Sequence, residues 1–113
     1  MTLDEKKSTP DLTAALDQLW MRFLPEMHQR AAILESAAVA FASGEITSEQ
    51  KYAAHSAAHK LAGTLGTFGL ARGSELARDF EKSCSPEEPR TTSNSQHLVA
   101  IAAEISAIIA ARK

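Results

Sequence analysis

The sequence predicts an all-α fold, an antiparallel four-helix bundle with a short additional N-terminal helix. Apolar residues recur at spacings of three and four along most of the chain, which is typical of helices with one buried face. Strand-forming residues are scarce, because valine occurs only at Val39 and Val99 and aromatic residues make up 5%. A chain of 113 residues has room for a single core. Amphipathic helices joined by short connections bury their apolar stripes most simply as a bundle.

The N-terminal part of the chain is expected to contain a leader and a short helix. Residues 1–10 are polar and charged and should form a flexible leader, so the single helical domain is expected to span residues 11–113. A short helix should follow the leader, with Asp11 or Thr13 near its N-terminal cap.

Proline, glycine and capping residues indicate where the next two helices begin and end. Pro25 indicates a break, or the first turn of a second helix that runs to about Ser43 with Gly44 as its C-cap. A capping box then starts another helix, in which Thr47 caps the N-terminus and Gln50 returns the hydrogen bond.

Two further helices complete the predicted bundle. The inward stripe of the first consists of Leu70, Gly73, Ala77, Phe80 and Cys84. Residues 83–95 are rich in Ser, Pro, Glu and Thr and are expected to form the long loop. The last helix should run from about Asn94 to Arg112, with most of its Leu and Ile residues on one broad face and basic residues at its negative dipole end.

Composition and charge argue against several classes of function. A net charge of −2 and a pI near 6.1, without a cluster of Lys or Arg, disfavour nucleic-acid binding. No apolar run reaches the roughly 18 residues of a membrane span, so no membrane partner is expected and the cytoplasm is the expected compartment. Cys84 is the only cysteine, which excludes an intramolecular disulfide and predicts a buried thiol.

His59 is predicted to lie opposite the apolar stripe of its helix. That stripe is formed by Ala54, Ala57, Leu61, Leu65 and Phe68. The candidate binding residues, mostly small, fall on the side of His59: His55, Ser56, Ala62, Gly63 and Gly66. Glycine inside a helix costs roughly 1 kcal/mol relative to alanine, so the two glycines favour close approach of a partner to the imidazole. Alternatively, they only weaken or end the helix.

The segment from His59 to Leu70, His-Lys-Leu-Ala-Gly-Thr-Leu-Gly-Thr-Phe-Gly-Leu, resembles the signature of histidine-containing phosphotransfer (Hpt) domains. In that family a helix-borne histidine carries a phosphoryl group, and the places of Leu61 and Gly63 hold an apolar residue and a glycine. The ending Thr67-Phe68-Gly69 is most similar to the phosphotransfer domains of chemotaxis-type histidine kinases. The specific likeness extends from Ala54 to about Glu81, and it implies a helical bundle with His59 as the phosphorylated residue.

The resemblance also implies a role for Glu81. The family often places a carboxylate or amide on the next helix, near the ring nitrogen that is not phosphorylated, and Glu81 falls at the matching distance from His59. Such a carboxylate would orient the imidazole by accepting a hydrogen bond from Nδ1–H, which leaves Nε2 as the nucleophile. The alternative is an ordinary exposed glutamate on an amphipathic helix.

The source of positive charge near the phosphoryl group stays open. Many members of the family carry lysine three residues after the histidine, whereas this sequence has Ala62 there. Lys60 and Arg78 are the possible phosphoryl cations, and a solvated surface charge is the alternative for both.

A phosphoryl carrier of a two-component phosphorelay is the function that the resemblance implies. His59 would exchange a phosphoryl group with an aspartate of response-regulator receiver domains, and a sensor or hybrid histidine kinase would be the donor. Mg²⁺ is expected on the receiver, and no cofactor is expected on this chain. The sequence has no Gly-x-x-x-x-Gly-Lys-Ser/Thr loop, so no ATP-dependent kinase activity of its own is predicted. A monomer is the expected state.

Two alternatives come from other classes of protein. An Hpt-like binding module would dock receivers without phosphotransfer, and the absence of lysine at Ala62 favours it. A metal site is the second, because His55 and His59 stand four apart on one helical face, a spacing that zinc sites use. The glutamate of the His-Glu-x-x-His motif is missing, and His28 and His97 would join only through tertiary contacts. Surface histidines are therefore the expected explanation, and no metal is predicted.

Overall fold

The chain folds into four helices. The computed structural model describes the backbone of residues 2–85 and 95–112 and the side chains of residues 12–85 and 95–112. The helices are α1 (Thr2–Ser43), α2 (Ser48–Thr67), α3 (Ala71–Ser83) and α4 (Ser95–Ala111), and no strand occurs among these residues. The all-α prediction is confirmed.

The helices enclose one hydrophobic core. Helix α1 packs against α2 and α4, and α3 packs against the same two helices. The largest fully buried side chains come from all four helices: Trp20, Met27, Leu34, Leu61, Leu65, Phe80, Leu98, Ile105 and Ile109. This arrangement is a helical bundle, and it buries most of the apolar stripes that the sequence pattern identified in α2, α3 and α4.

The prediction of a separate short helix before Pro25 was wrong. Helix α1 runs without interruption from Thr2 to Ser43. A proline inside a helix costs about 3 kcal/mol because the carbonyl four residues earlier loses its partner. Here that carbonyl belongs to Met21, and both Met21 and Pro25 are exposed, so water can solvate it. Trp20 and Met27 are buried on either side of the proline, so packing holds both halves of the helix in line.

Helix α1 also covers the segment that was expected to form a leader. The side chains of residues 2–11 lie outside the described residues, and the division of the chain at residue 10 stays a prediction. Much of the expected loop over residues 83–95 also lies outside the described residues.

The junction between α1 and α2 follows the sequence prediction. Gly44 has a positive φ of 75°, and its N–H donates to the Phe41 carbonyl over 3.1 Å. This left-handed residue ends α1 and favours glycine. Helix α2 begins with the predicted capping box, because the Gln50 N–H donates to Thr47 Oγ1 over 3.0 Å and the Thr47 N–H donates to Gln50 Oε1 over 2.8 Å.

A tight turn connects α2 to α3. Gly69 has a φ of 76°, and its N–H donates to the Gly66 carbonyl over 3.0 Å. The Leu70 N–H donates to the Leu65 carbonyl over 2.9 Å, which completes the C-terminal cap of α2. The turn folds α3 back along α2, and this reversal positions the site described below.

The structure also bears on the state of Cys84 and on the presence of membrane-spanning helices. Cys84 is buried, which confirms the predicted buried thiol, and burial raises the pKa of this thiol to about 12. Among the described residues, no helix is both long and apolar enough to cross a membrane.

Candidate functional site

His59 projects from the solvent side of α2. Its neighbours Ala58 and Leu61 point into the core, whereas 72% of the His59 side chain is exposed. A histidine with that exposure contributes little to packing. Its surroundings instead leave much of the ring open to a partner molecule.

Glu81 lies against His59, as the family resemblance implied. Glu81 Oε2 is 2.9 Å from His59 Nδ1, and the Glu81 side chain is 24% exposed. An ionised carboxylate only accepts hydrogen bonds, so the proton of this bond belongs to Nδ1. In the neutral ring, Nε2 then carries the lone pair. A ring in this tautomer can attack an electrophile through Nε2, and a carboxylate at Nδ1 can stabilise positive charge on the ring.

Buried contacts between α2 and α3 fix the register that brings Glu81 to His59. The Ser74 hydroxyl is buried and donates to the Ala62 carbonyl over 2.8 Å. A Cβ atom on Gly73 would lie 3.0 Å from the Leu65 side chain, so glycine lets the two helices approach closely. Ser74 could not be recognised from the sequence, because a serine within an amphipathic helix carries no signal of a specific partner.

His55 shares the same carboxylate oxygen. Its Nε2 is 3.8 Å from Glu81 Oε2, within ion-pair distance, and its side chain is 35% exposed. The sequence placed His55 on the side of His59 but gave no indication that both imidazoles meet Glu81. The spacing of four residues was the available signal, and it needed the position of α3 to be interpreted.

The glycines differ in their surroundings. A Cβ atom on Gly63 would meet nothing within 4 Å, so the surface one turn beyond His59 is open. A Cβ atom on Gly66 would lie 3.4 Å from Ser74 Oγ, which ties Gly66 to the packing of α3 as well.

Two other candidate binding residues are less accessible than the sequence suggested. Ser56 is half-buried. Ala62, which was expected on the open face, is buried, and its carbonyl accepts a hydrogen bond from Ser74 of α3. Ala62 therefore contributes to the helix interface and not to an exposed surface.

The structure does not bring the two possible phosphoryl cations to the ring. Among the described side chains, only Glu81 lies within hydrogen-bond distance of the His59 ring. Lys60 and Arg78 are exposed. Arg78 lines a shallow cleft of about 240 Å³ at the junction of α2 and α3, together with Gly66, Gly69, Ala71, Ser74 and Glu75.

The histidines do not assemble a metal centre within the part of the chain that the structure describes. No group of three or more His, Cys, Asp or Glu side chains that could hold a metal ion occurs there. His28 and His97 are exposed on α1 and α4. His55 and His59 both lie within 4 Å of Glu81 Oε2.

Comparison with known proteins identifies relatives of the chain. A family model described as the Hpt domain matches residues 18–111. Protein RcaC of Microchaete diplosiphon is 37% identical over 68 residues, which make up 60% of this chain and 10% of that protein. The chain thus matches only about a tenth of the length of this curated relative. No solved structure matches the chain.

Proposed function

We infer, because this chain belongs to the Hpt domain family, that it carries a phosphoryl group on His59 within a two-component phosphorelay. The family implies histidine phosphotransfer, and the finer proposal is exchange with an aspartate of response-regulator receiver domains. The observation that carries this proposal is the exposed imidazole of His59 with its Nδ1 held 2.9 Å from a carboxylate.

The chemistry needs little from this chain. Nε2 of His59 attacks the phosphorus of a receiver's aspartyl phosphate, the P–N bond forms, and the P–O bond to the aspartate breaks and releases its carboxylate. Positive charge develops on the ring as Nε2 becomes bonded, and Glu81 stabilises that charge through Nδ1–H. Mg²⁺ bound by the receiver offsets phosphoryl charge on the other side.

The partners follow from the same proposal. Receiver domains dock on the face that carries His59 and Gly63, where the surface is open, through a transient contact of modest area. A sensor or hybrid histidine kinase supplies phosphoryl groups through a receiver. We further propose that the protein is a cytoplasmic monomer and that its helices form an antiparallel bundle. We propose no ATP-dependent kinase activity and no cofactor for this chain.

Transfer from phosphorylated receivers tests this function. Panels of prephosphorylated receivers are mixed with wild type, His59→Gln and Glu81→Gln, and the acid-labile label is measured. Wild type should be labelled and His59→Gln should not. Glu81→Gln should be labelled about 10- to 100-fold more slowly, a loss similar to that seen when a group that orients a metal-bound histidine is removed. His97→Gln is the matched control, because it removes an exposed imidazole on α4.

Persistent labelling of His59→Gln would refute the assignment of the residue. The alternative is an Hpt-like binding module that docks receivers without phosphotransfer, and Ala62, in the place of a cation, favours it. Wild type that binds receivers but takes no label from any of them would support that alternative.

A further inference from the structure

The carboxylate of Glu81 serves two imidazoles. Its Oε2 is 2.9 Å from Nδ1 of His59 and 3.8 Å from Nε2 of His55. The first distance is a hydrogen bond, and the second is an ion-pair distance that is too long for a hydrogen bond. The His59 ring is therefore engaged by Glu81, while the His55 ring stands beside the same oxygen with only a weak interaction as long as it is neutral.

Phosphorylation of His59 would concentrate negative charge at this point. A phosphoryl group adds between one and two negative charges near neutral pH, and here it would be added beside the negative charge of Glu81. His55 and Ala62 lie one turn before and one turn after His59, at nearly the same angle around α2. On the side of α2 that faces α3, the titratable ring of His55 therefore lies one turn before His59, and the methyl group of Ala62 lies one turn after it.

We propose that His55 takes up a proton when His59 carries a phosphoryl group, and that the resulting imidazolium, held against Glu81, offsets the phosphoryl charge. The proposal rests on the proposed function, since it assumes a phosphoryl group on His59. The proton comes from solvent and no covalent bond of His55 changes. His55 does not touch the reacting atoms, so it acts as an electrostatic partner of the site.

Two further cations lie on the same pair of helices. Lys51 lies one turn before His55, is 8% exposed, and acts electrostatically on the thiol of Cys84. Arg78 lies one turn before Glu81 on α3 and is exposed. A phosphoryl group on His59 would add negative charge beside Glu81, and this added charge favours a positive charge on His55.

Thermodynamic linkage provides two independent measurements of the same coupling. If a charged His55 favours the phosphoryl group on His59 by some factor, the phosphoryl group must favour the charge on His55 by the same factor. The first effect is seen in the phosphoryl-exchange equilibrium with a receiver. The second is seen in the protonation of the His55 ring.

The exchange equilibrium is measured with one receiver that labels wild type. The constant refers to the separated proteins, so damage to the docking surface does not change it. His55→Gln keeps a polar side chain beside Glu81 but removes the titratable charge. We expect the constant for transfer to this chain to decrease about three- to tenfold, as is expected for one charge close to another at a protein surface. His97→Gln, which removes an exposed imidazole on α4, should leave it unchanged.

The protonation of His55 is measured by ¹⁵N NMR of the imidazole rings at one fixed pH. Phosphoramidate labels His59 without a receiver, because its P–N bond breaks, ammonia leaves and a new P–N bond forms at Nε2. The ¹⁵N shifts of His55 should move towards the imidazolium values on labelling. His55 shifts that stay constant, together with an unchanged exchange constant in His55→Gln, would overturn the proposal while phosphotransfer stands. If no receiver labels wild type, the proposed function fails, and the phosphoramidate measurement alone then decides the role of His55.

Discussion

In two regions of this bundle a carboxylate lies next to a nitrogen-containing side chain, an arginine in one and a histidine in the other. The two regions differ in how far that side chain is exposed to solvent. At the end of the bundle, Arg112 lies 4.8 Å over the Trp20 ring and 5.4 Å over the Phe68 ring, and its Nη2 is 3.2 Å from an Asp17 oxygen. On the α2–α3 face, Glu81 meets His59. The side chain of Arg112 is 19% exposed, whereas that of His59 is 72% exposed.

The difference teaches how the same kind of pair serves stability or chemistry. Arginine keeps its charge at all ordinary pH values, and a guanidinium between two rings is held by stacking as well as by its carboxylate. Histidine changes its charge and offers a lone pair, which is useful only where a partner can reach it. The covered guanidinium of Arg112 closes the end of the core, and the exposed ring of His59 is open to a partner molecule.

Removing the Trp20 ring has the largest expected effect, and it tests whether the Arg112 region serves stability alone. Trp20 is 1% exposed and packs edge-on against Phe68, with the ring centroids 5.1 Å apart. Trp20→Ala should lower the free energy of unfolding by about 3–5 kcal/mol, because it leaves a cavity and removes the surface on which Arg112 stacks. Urea denaturation measures this loss, and Leu12→Ala, at a 63% exposed position, should change the value by less than about 0.5 kcal/mol.

Phosphotransfer per folded molecule should be unchanged in Trp20→Ala. If the variant unfolds, Trp20→Phe retains a ring and should show a smaller loss of the same kind. Slower transfer by molecules that are fully folded would contradict the separation of the two regions.

Gly63 distinguishes stability from docking within the site itself. Any side chain at this position replaces a glycine inside a helix and meets nothing within 4 Å. Gly63→Gln should therefore raise the free energy of unfolding by roughly 0.5–1 kcal/mol. The same glutamine stands one turn from His59 and keeps a receiver away, so the rate of transfer should fall by roughly tenfold or more.

The two effects of this substitution have opposite signs, which no general loss of structure produces. Gly63→Ala is the matched control, because it should stabilise the helix to a similar extent and lower the transfer rate far less. Undiminished transfer from every competent receiver to Gly63→Gln would show that close approach at Gly63 is not needed.

The sequence predicted the local features well because their causes are local. The capping box of Thr47 and Gln50 and the turn at Gly44 each depend on a few adjacent residues. The contact of Glu81 with His59 was predicted only because a family resemblance supplied the spacing between two helices. Sequence periodicity alone fixes a face of a helix and not the neighbour that the face meets.

The features that the sequence did not predict depend on contacts between distant residues. Helix α1 continues through Pro25 because tertiary packing on both sides outweighs the local cost. Arg112 was expected only to complement a helix dipole, but it reaches Asp17, which is 95 residues away in the chain. The contact of His55 with Glu81 likewise requires α3 in place.

A third carboxylate, that of Glu104, pairs with Arg72, and removing this pair should have the smallest effect on stability. Arg72 Nε donates to Glu104 Oε2 over 3.0 Å, and Nη2 lies 3.3 Å from Oε1, so a permanent cation is paired in the open. The hydrogen bond from Arg72 holds the pKa of Glu104 below its ordinary value of 4.5. A carboxylate whose pKa is lowered by folding stabilises the protein above that ordinary value, and the contribution is lost as the pH falls through the folded pKa. Both side chains are exposed, so the contribution is small.

Unfolding by urea at pH 7 and at about pH 3 tests this pair in wild type and Arg72→Gln. The variant should be slightly less stable than wild type at pH 7, and the difference should shrink at the lower pH, where Glu104 becomes protonated. An equal difference at both pH values would show that Arg72 acts through the packing of its methylene groups. Side-chain exposure would then not explain why the two arginine–carboxylate pairs contribute differently to stability. The His59 site would still differ from both pairs, because its base offers a lone pair and the surface around it is open.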